Sequence, residues 1–599
     1  MTAPFRPTWT WSVALASALA LLAAAGLDRL APPPSADVSR GSEEAFAEGL
    51  QPREVPPRQG PQRWMGPEAV FRFRNLPPGA GRIEVALHGQ SAPVAAVVDG
   101  VILGTLPPGV PTGDFPVASV RGRGLDLVLR TDGFVASDGR RLGALVDRVT
   151  LRHGAPGWPA PLLSLGFLAV ALATLWAAGA CGFGPGAALA ISACSSLGQA
   201  LALHPFGIAR SRHATTLALL WAGGALLAGV LGRAAERRRP GSARWAFVAI
   251  LAAVLVQGLA ATSPLMVVSD AVFHANKLAA VAAGDFFPTS LTQHARPFRI
   301  PYGVSFYALL APLRLWGLDG VGLVRFGAAA SGILASLVLY RLLLPQGGAR
   351  AGAAVLLLQL LPGVFDVYSY GNLSNVFGQA MTVMFFAWWA AGIPGGPVVG
   401  GGLLLLGATA HLSSLIVMAA LVPALLAFGD PEGRRDRRRL MAALLGFGLA
   451  GLYYLHFRSL ILEQVPRLLE GGGQGRGSAL GAWGALRLQL LGALGQWGVP
   501  ALVLAWFGRP RPSGGGLERD LLAFWAAGAA LLLPALATPL DVRYLYALTV
   551  PVAVAAGTGL CRLVDAGGAR RWAGWTLLAA QALLAGRGIL EAVLYRYRP

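Results

Sequence analysis

The stretch "VVSDAVFHANKLAAVAAGDFFP", residues 267–288, groups Asp270, His274 and Lys277 and then Asp285 directly after a long apolar run. Lys277 is the only lysine in the chain; histidine aside, every other basic side chain is arginine. The run before it, residues 245–262, is long enough to cross a hydrocarbon core of roughly 30 Å as a helix. An acid, an imidazole and an ammonium therefore stand where a helix leaves a bilayer.

Such runs recur. The chain has 599 residues, 55% hydrophobic and only 13% charged, which is too apolar for a soluble protein of this length. The sequence predicts a polytopic, all-α membrane protein of roughly 12 to 14 spans, with an extracytoplasmic β-sandwich inserted near the N-terminus. The early spans fall near 161–180, 184–204, 214–232 and 245–262. Residues 302–317 read as a short span or a re-entrant segment. Residues 397–428 are too long for one simple helix and predict a break near His411.

The formal charge of +20 does not point to nucleic acid. Much of the arginine lies in short loops between apolar runs, as the positive-inside rule requires, and no nucleic-acid motif accompanies it. The loop "RAAERRRPGSAR" (233–244) carries five arginines and reads as cytoplasmic. Counting outward from it places Asp270 on the far side. The basic loops at 430–439, 508–520 and 561–571 also read as cytoplasmic, which puts "PLDVRYLY" (539–546) outside. The three cysteines, Cys181, Cys194 and Cys561, form neither a disulfide framework nor a zinc pattern.

Four parts follow. Residues 1–26 hold an apolar anchor or signal segment; either exports what comes next. Residues 27–155 alternate with period two in "AVFRFRNL", "RIEVALHG" and "LDLVLRTDGF", separated by turns such as Asp99-Gly100, and predict the β-sandwich. Such a domain suits either carbohydrate binding or a structural cap. Residues 156–244 are accessory spans. Residues 245–599 are the main membrane domain.

Four polar clusters fall at external span ends. They are Asp270/His274/Lys277, running on to Asp285, His294, Arg296, Arg299 and Tyr302; "FDVYSYGNLSN" (365–375); "ATAHLSSL" with His411; and "LDVRYLY" with Asp541, Arg543 and Tyr544. Ionisable groups near hydrocarbon are costly and usually face a cavity or mark a functional path. In a helix, Asp270, His274 and Lys277 lie at i, i+4 and i+7 on one face. The rest of that helix, with Val272, Leu278 and Ala279, is largely apolar, so it is expected to lie along the membrane surface with the polar face toward a cavity. A carboxylate there can take a proton from an attacking hydroxyl, and nearby cations can hold a phosphate leaving group. Those are the two tasks of sugar transfer from a lipid phosphate. The duller readings are an Asp270–Lys277 surface pair, interfacial or helix-contact roles for His274 and His411, and a snorkelling Arg543. The Asp-x₃-His spacing suits two metal ligands, but a third and fourth are not evident. No cofactor is expected, and a divalent metal is not indicated.

"SDAVFHANKL", "GDFFP" and "PYGVSFYALLAPL", in that order, resemble the GT-C superfamily of integral membrane glycosyltransferases. "YSYGNLSNVFGQAM" and "TAHLSSLIV" are similar to segments of its bacterial multi-spanning group often called YfhO-like, and "DVRYLYALTVPV" resembles a C-terminal external arginine segment. The likeness covers about residues 245–590. It implies a polyprenyl-phosphate sugar donor, a glycan or cell-envelope acceptor, work on the periplasmic face of a bacterial inner membrane, and inversion at the anomeric carbon. It makes Asp270 the catalytic base. Arg543, with Arg296 or Arg299, becomes a contact for the donor phosphate, and His274, Lys277, Tyr302, His411 and Tyr544 complete the substrate-binding set. The rival readings are a transporter or flippase for a lipid-linked saccharide, for which paired repeats are not seen, and a non-catalytic assembly subunit.

Overall fold

The computed structural model describes residues 7–51, 54, 62–76, 79–120, 124–153, 159–266, 270–291, 299–361, 368, 371–392, 395–463, 495–537 and 549–594. The chain forms two compact units. One comprises Met1–Val230 with Thr262–Val267 and Val593–Pro599; the other comprises Leu231–Ala261 and Val268–Ala592.

The first unit opens with helix α1 (Pro7–Leu30), whose last turn continues past the expected end of the apolar segment. A β-rich region follows: β1 (Ser35–Asp37), β2 (Ala47–Leu50), β3 (Met65–Arg74), β4 (Gly79–His88), β5 (Val94–Val98), β6 (Val101–Leu106), β7 (Thr112–Val120), β8 (Gly124–Arg130), β9 (Phe134–Val135), β10 (Arg141–Leu142) and β11 (Leu145–His153). They pair in the orders β1-β11-β4-β7 and β2-β3-β8-β5-β6, with β9-β10 as a separate pair, all antiparallel. The period-two pattern explains the burial. In β3, Ala69, Phe71 and Phe73 are buried, while Arg72 and Arg74, alternating with them, point outward to Glu48 and Asp126. Gly104 of one sheet lies against the Phe115 ring of the other, so that a Cβ at Gly104 would meet that ring at 2.8 Å.

Helices α2 (Pro161–Ala180), α3 (Pro185–Leu203) and α4 (His213–Arg238) follow, close to the expected bounds. Between α3 and α4, Arg210 is 2% exposed. It forms an ion pair with Asp28 of α1 and donates to the Asn75 carbonyl at the end of β3; Asn75 Nδ2 in turn donates to Ala209 O at 3.0 Å.

The second unit contains α5 (Ala243–Thr262), α6 (Ala271–Ala282), the β12–β13 hairpin (Thr289–Leu291 with Arg299–Pro301) and α7 (Ser305–Leu310), which runs into a 3₁₀ turn at Ala311–Trp316. The 302–317 run thus folds as two short pieces, neither long enough to span. Next come α8 (Gly320–Leu343), α9 (Gly348–Gln359), α10 (Leu373–Ala391), α11 (Gly396–Ala408) and α12 (Leu412–Phe428), so the 397–428 run breaks at residues 409–411, beside His411. Among the described residues the further helices are α13 (Pro431–Arg435), α14 (Arg437–Leu455), α15 (Gly495–Gly508), α16 (Gly516–Ala537), α17 (Thr549–Asp565) and α18 (Gly568–Leu594). Helix α10 is buried on all sides from Leu373 to Trp389, with Phe385, Phe386 and Trp389 fully buried, and it forms the core of this unit. Among the described residues, 7 helices are long and apolar enough to cross a membrane.

At the basic end of α12 the backbone N–H of Asp430 donates to Asp520 Oδ1 at 2.9 Å. Asp520 lies in the second turn of α16, ahead of its apolar run, and is 1% exposed. Burial pushes its carboxyl up to about 6 from the ordinary 3.8; Asp430 acts in the same direction, while its backbone N–H and the Arg439 guanidinium oppose it. A raised carboxyl favours the folded state while protonated, and that contribution is lost as pH rises through about 6. Asp520→Asn keeps the acceptor and removes the charge. It is expected to melt higher than the parent above about pH 6, with the gap closing toward pH 3.8; thermal scans of the detergent-solubilised full chain across that range measure it. A constant gap would exclude Asp520 titration as the cause.

Candidate functional site

Asp270 is the N-cap residue of α6, and its carbonyl accepts the His274 N–H at 2.9 Å, which starts the helix. Its side chain makes no cap hydrogen bond and is half-buried. Gly371 packs directly on it. This glycine has φ +73°, and a Cβ there would lie 2.6 Å from Asp270 N and 2.7 Å from Asp270 Cβ. Only glycine meets both demands.

His274 joins the same two elements. It is 1% exposed, with Nε2 2.7 Å from the Gly371 carbonyl oxygen and Nδ1 2.6 Å from Tyr307 Oη. A carbonyl can only accept, so Nε2 carries the proton; in the neutral ring Nδ1 accepts the Tyr307 O–H. Tyr307 is fully buried, and burial holds its phenol well above the ordinary value, with the neighbouring Tyr302 and the charge of Asp270 adding to the effect. Tyr302 Oη lies 3.3 Å from Ser374 Oγ in the first turn of α10.

The next residue continues the chain of contacts. Asn375 Nδ2 donates to Ser413 Oγ at 2.8 Å, and Ser413 Oγ lies 2.7 Å from His411 Nδ1. Because Ser413 N–H also donates to that nitrogen at 3.2 Å, Nδ1 of His411 is an acceptor and Nε2 holds the proton. His411 thereby N-caps α12, and its ring meets Tyr302 edge-on at 5.8 Å. Close backbone approach makes this convergence possible. A Cβ on Gly303 would fall 2.1 Å from Ala410 O, and one on Gly378 would fall 2.1 Å from Ser414 Oγ. Val304 N–H and Ser305 Oγ donate to the carbonyls of Thr409 and Leu406 at 2.7 and 2.6 Å. The sequence segments "SDAVFH", "PYGVSFY", "GNLSN" and "AHLSS" therefore meet in one buried polar network beneath a half-exposed carboxylate.

Asp270, His274, Tyr302 and His411 are brought together. Lys277 lies beside them: Nζ donates to Thr289 O at 2.6 Å, tying the hairpin to α6, and sits 5.5 Å over the Phe273 ring, which meets Tyr302 at 5.3 Å. Burial lowers its ammonium below the ordinary value, while Asp285 works the other way. Arg299 is exposed on β13. Arg296, Arg543 and Tyr544 lie outside the described residues, as do His294 and Asp541.

One expectation is corrected. His274 was expected on a polar face open to a cavity, with Leu278 on the apolar remainder of α6. Instead Ala271, His274, Leu278 and Val281 form one buried face, and Val272 is the exposed apolar side chain. His274 and Leu278 are one turn apart and must share a side; the imidazole can be buried there because both ring nitrogens find partners. The sequence reading passed over Gly371, Tyr307, Ser374, Asn375 and Ser413 as individual residues. Gly371, Ser374, Asn375 and Ser413 lay inside flagged clusters. Tyr307 lay inside the quoted segment "PYGVSFYALLAPL", but nothing marked it individually, since its partner is 33 residues away in sequence. Among the described residues no three His, Cys, Asp or Glu side chains converge to hold a metal ion.

Gly371→Ala is expected to destabilise the chain by more than the ~1–2 kcal/mol of a left-handed alanine, because the new methyl also overlaps Asp270. Gly392, at φ +59° with open space around its Cβ direction, provides the control: Gly392→Ala should show the backbone cost alone. Equal falls in melting temperature for the two variants would remove the overlap with Asp270.

No protein-family profile matches the chain. No curated protein matches it. Among solved structures it is similar to the Archaeoglobus fulgidus oligosaccharyltransferase in its complex with zinc and sulfate, at 16% identity and a TM-score of 0.37, over 57% of this chain and 53% of that one. The match thus spans about half the length of that protein. A likeness this low carries no argument about fold or activity.

Proposed function

We propose that the chain is a membrane glycosyltransferase of the GT-C type, of the YfhO-like group its motifs resemble. It moves one sugar from a polyprenyl-phosphate donor to a glycan or other cell-envelope acceptor at the periplasmic face of a bacterial inner membrane. The single observation that carries the reading is the setting of Asp270: a half-exposed carboxylate whose backbone is held by Gly371, above a network that runs from His274 to His411.

In the reaction the acceptor hydroxyl gives its proton to the Asp270 carboxylate as its oxygen bonds to the anomeric carbon. The bond from that carbon to the phosphate oxygen breaks, and polyprenyl phosphate leaves with the electron pair. Attack from the face opposite the leaving group inverts the centre. Lys277, on the same helix as Asp270, and Arg299, on the hairpin that Lys277 holds, are assigned to the phosphate with Arg296 and Arg543. His274 and Tyr307 act as positioning residues, since their polar atoms are used in holding Gly371 and Tyr302. The β-rich region is assigned to the periplasm.

The test uses the full chain in lipid nanodiscs with undecaprenyl-phosphate [¹⁴C]glucose or [¹⁴C]mannose and a bacterial envelope fraction as acceptor. Label transfer by the parent, lost in Asp270→Asn, supports the reading. Transbilayer movement of the labelled lipid without transfer would instead make the chain a flippase, and transfer unaffected by Asp270→Asn would remove the base.

A further inference from the structure

The second unit holds a cavity of about 20 Å³, measured at water centres, deep among the apolar helices α5, α8, α9, α10, α16 and α17. Its lining is unusually polar for such a place: Gln257, Ser336, Gln359, Gln379, Thr382 and Thr549, each 2% exposed or less. Three of these form a one-way chain of donors. Gln257 Nε2 donates to Gln359 Oε1 at 3.0 Å, Gln359 Nε2 to Ser336 Oγ at 2.9 Å, and Ser336 Oγ to the Gly332 carbonyl at 2.8 Å. Amides that donate in series polarise one another, so the carbonyl at the head of the chain becomes a better acceptor. That atom is Gln257 Oε1. It is buried and has no hydrogen-bond partner among the described residues. It rests against Gly332, where a Cβ would come within 2.6 Å of it.

An unpaired carbonyl in a low-dielectric interior keeps the full cost of its lost hydration. A water needs roughly 10–15 Å³ at this measure and two to four polar partners; the cavity supplies both. We infer that the cavity is a binding site for a single structural water, which donates to Gln257 Oε1 and bridges from α5 to the polar side chains of α10. Its place in the molecule gives it a purpose. Helix α10 carries Ser374 and Asn375 in its first turn and Gln379 and Thr382 on the turns that follow. Without covalent cross-links or a hydrophobic driving force between spans, hydrogen bonds that use small-residue approaches such as Gly332 hold neighbouring helices in register. The water is a pin between α10 and the helices α5, α8 and α9. This inference does not depend on the proposed activity.

The experiment is a crystal structure of the full chain, collected with and without xenon pressurisation. The expected result is solvent density about 2.7–3.2 Å from the Gln257 amide and no xenon in the cavity, because xenon enters dry, apolar voids. Gln257→Leu removes the acceptor and should reverse both signs: the solvent peak goes and xenon enters. A xenon peak in the parent protein, or a cavity with neither peak, would overturn the proposal, as would acyl-chain density running through it. Should the leucine variant not fold, the parent crystals decide alone.

Discussion

Asp270→Asn is expected to lower the rate of sugar transfer by about 10²–10⁴-fold, the range a positioned general base supplies. The loss should fall on kcat, with KM for the lipid donor little changed, because asparagine keeps the shape of the side chain and cannot take the proton. Folding should survive. The helix-starting contact at this position comes from the backbone carbonyl to His274 N–H, and the side chain makes no cap hydrogen bond, so neither depends on the charge. Steady-state transfer in nanodiscs, with melting temperature measured on the same samples, separates the two effects. A parallel fall in melting temperature would make Asp270 a structural acid. His274→Asn provides a second point on the same scale. It disturbs the buried Gly371 contact and leaves the carboxylate in place, so its loss of transfer should be smaller than that of Asp270→Asn and should come with a loss of stability.

The other large effect lies in the first unit. Arg210 and Asp28 are 2% and 5% exposed and paired, and Arg210 also holds the Asn75 carbonyl. Removing one partner of such a pair leaves a desolvated charge, at about 3–5 kcal/mol. Arg210→Met should therefore melt several degrees lower than the parent. Removing both charges is far less harmful than removing one, so Arg210→Met combined with Asp28→Asn should recover much of the loss. The measurement is a double-mutant cycle by thermal unfolding in detergent. If the double variant is as unstable as the sum of the two singles, the pair does not act as a unit, and the stability of this corner comes from the Asn75–Ala209 contact instead.

Much of this could be read from the chain alone. Helices α2 to α5 begin and end within about six residues of the expected spans, since a run of about 20 apolar residues has few other ways to satisfy its backbone in lipid. The alternation in "AVFRFRNL" likewise dictated which side of β3 is buried. Asp270, His274, Tyr302 and His411 were singled out because polar groups stand out against an apolar background. Local patterning settles such things because each depends on neighbours a few residues away.

What the sequence left open, the tertiary structure decided. His274 was expected to face a cavity and instead lies in the core, because Tyr307 and the Gly371 carbonyl, 33 and 97 residues away, take its two ring nitrogens. The single-residue fit of Gly371 under Asp270, the chain from Gln257 through Gln359 to Ser336, and the Arg210–Asp28 pair are of the same kind. Each joins groups far apart in the chain. Whether a polar side chain is a ligand or a strut depends on which distant atom fills its hydrogen-bonding positions, and periodicity carries no information about that.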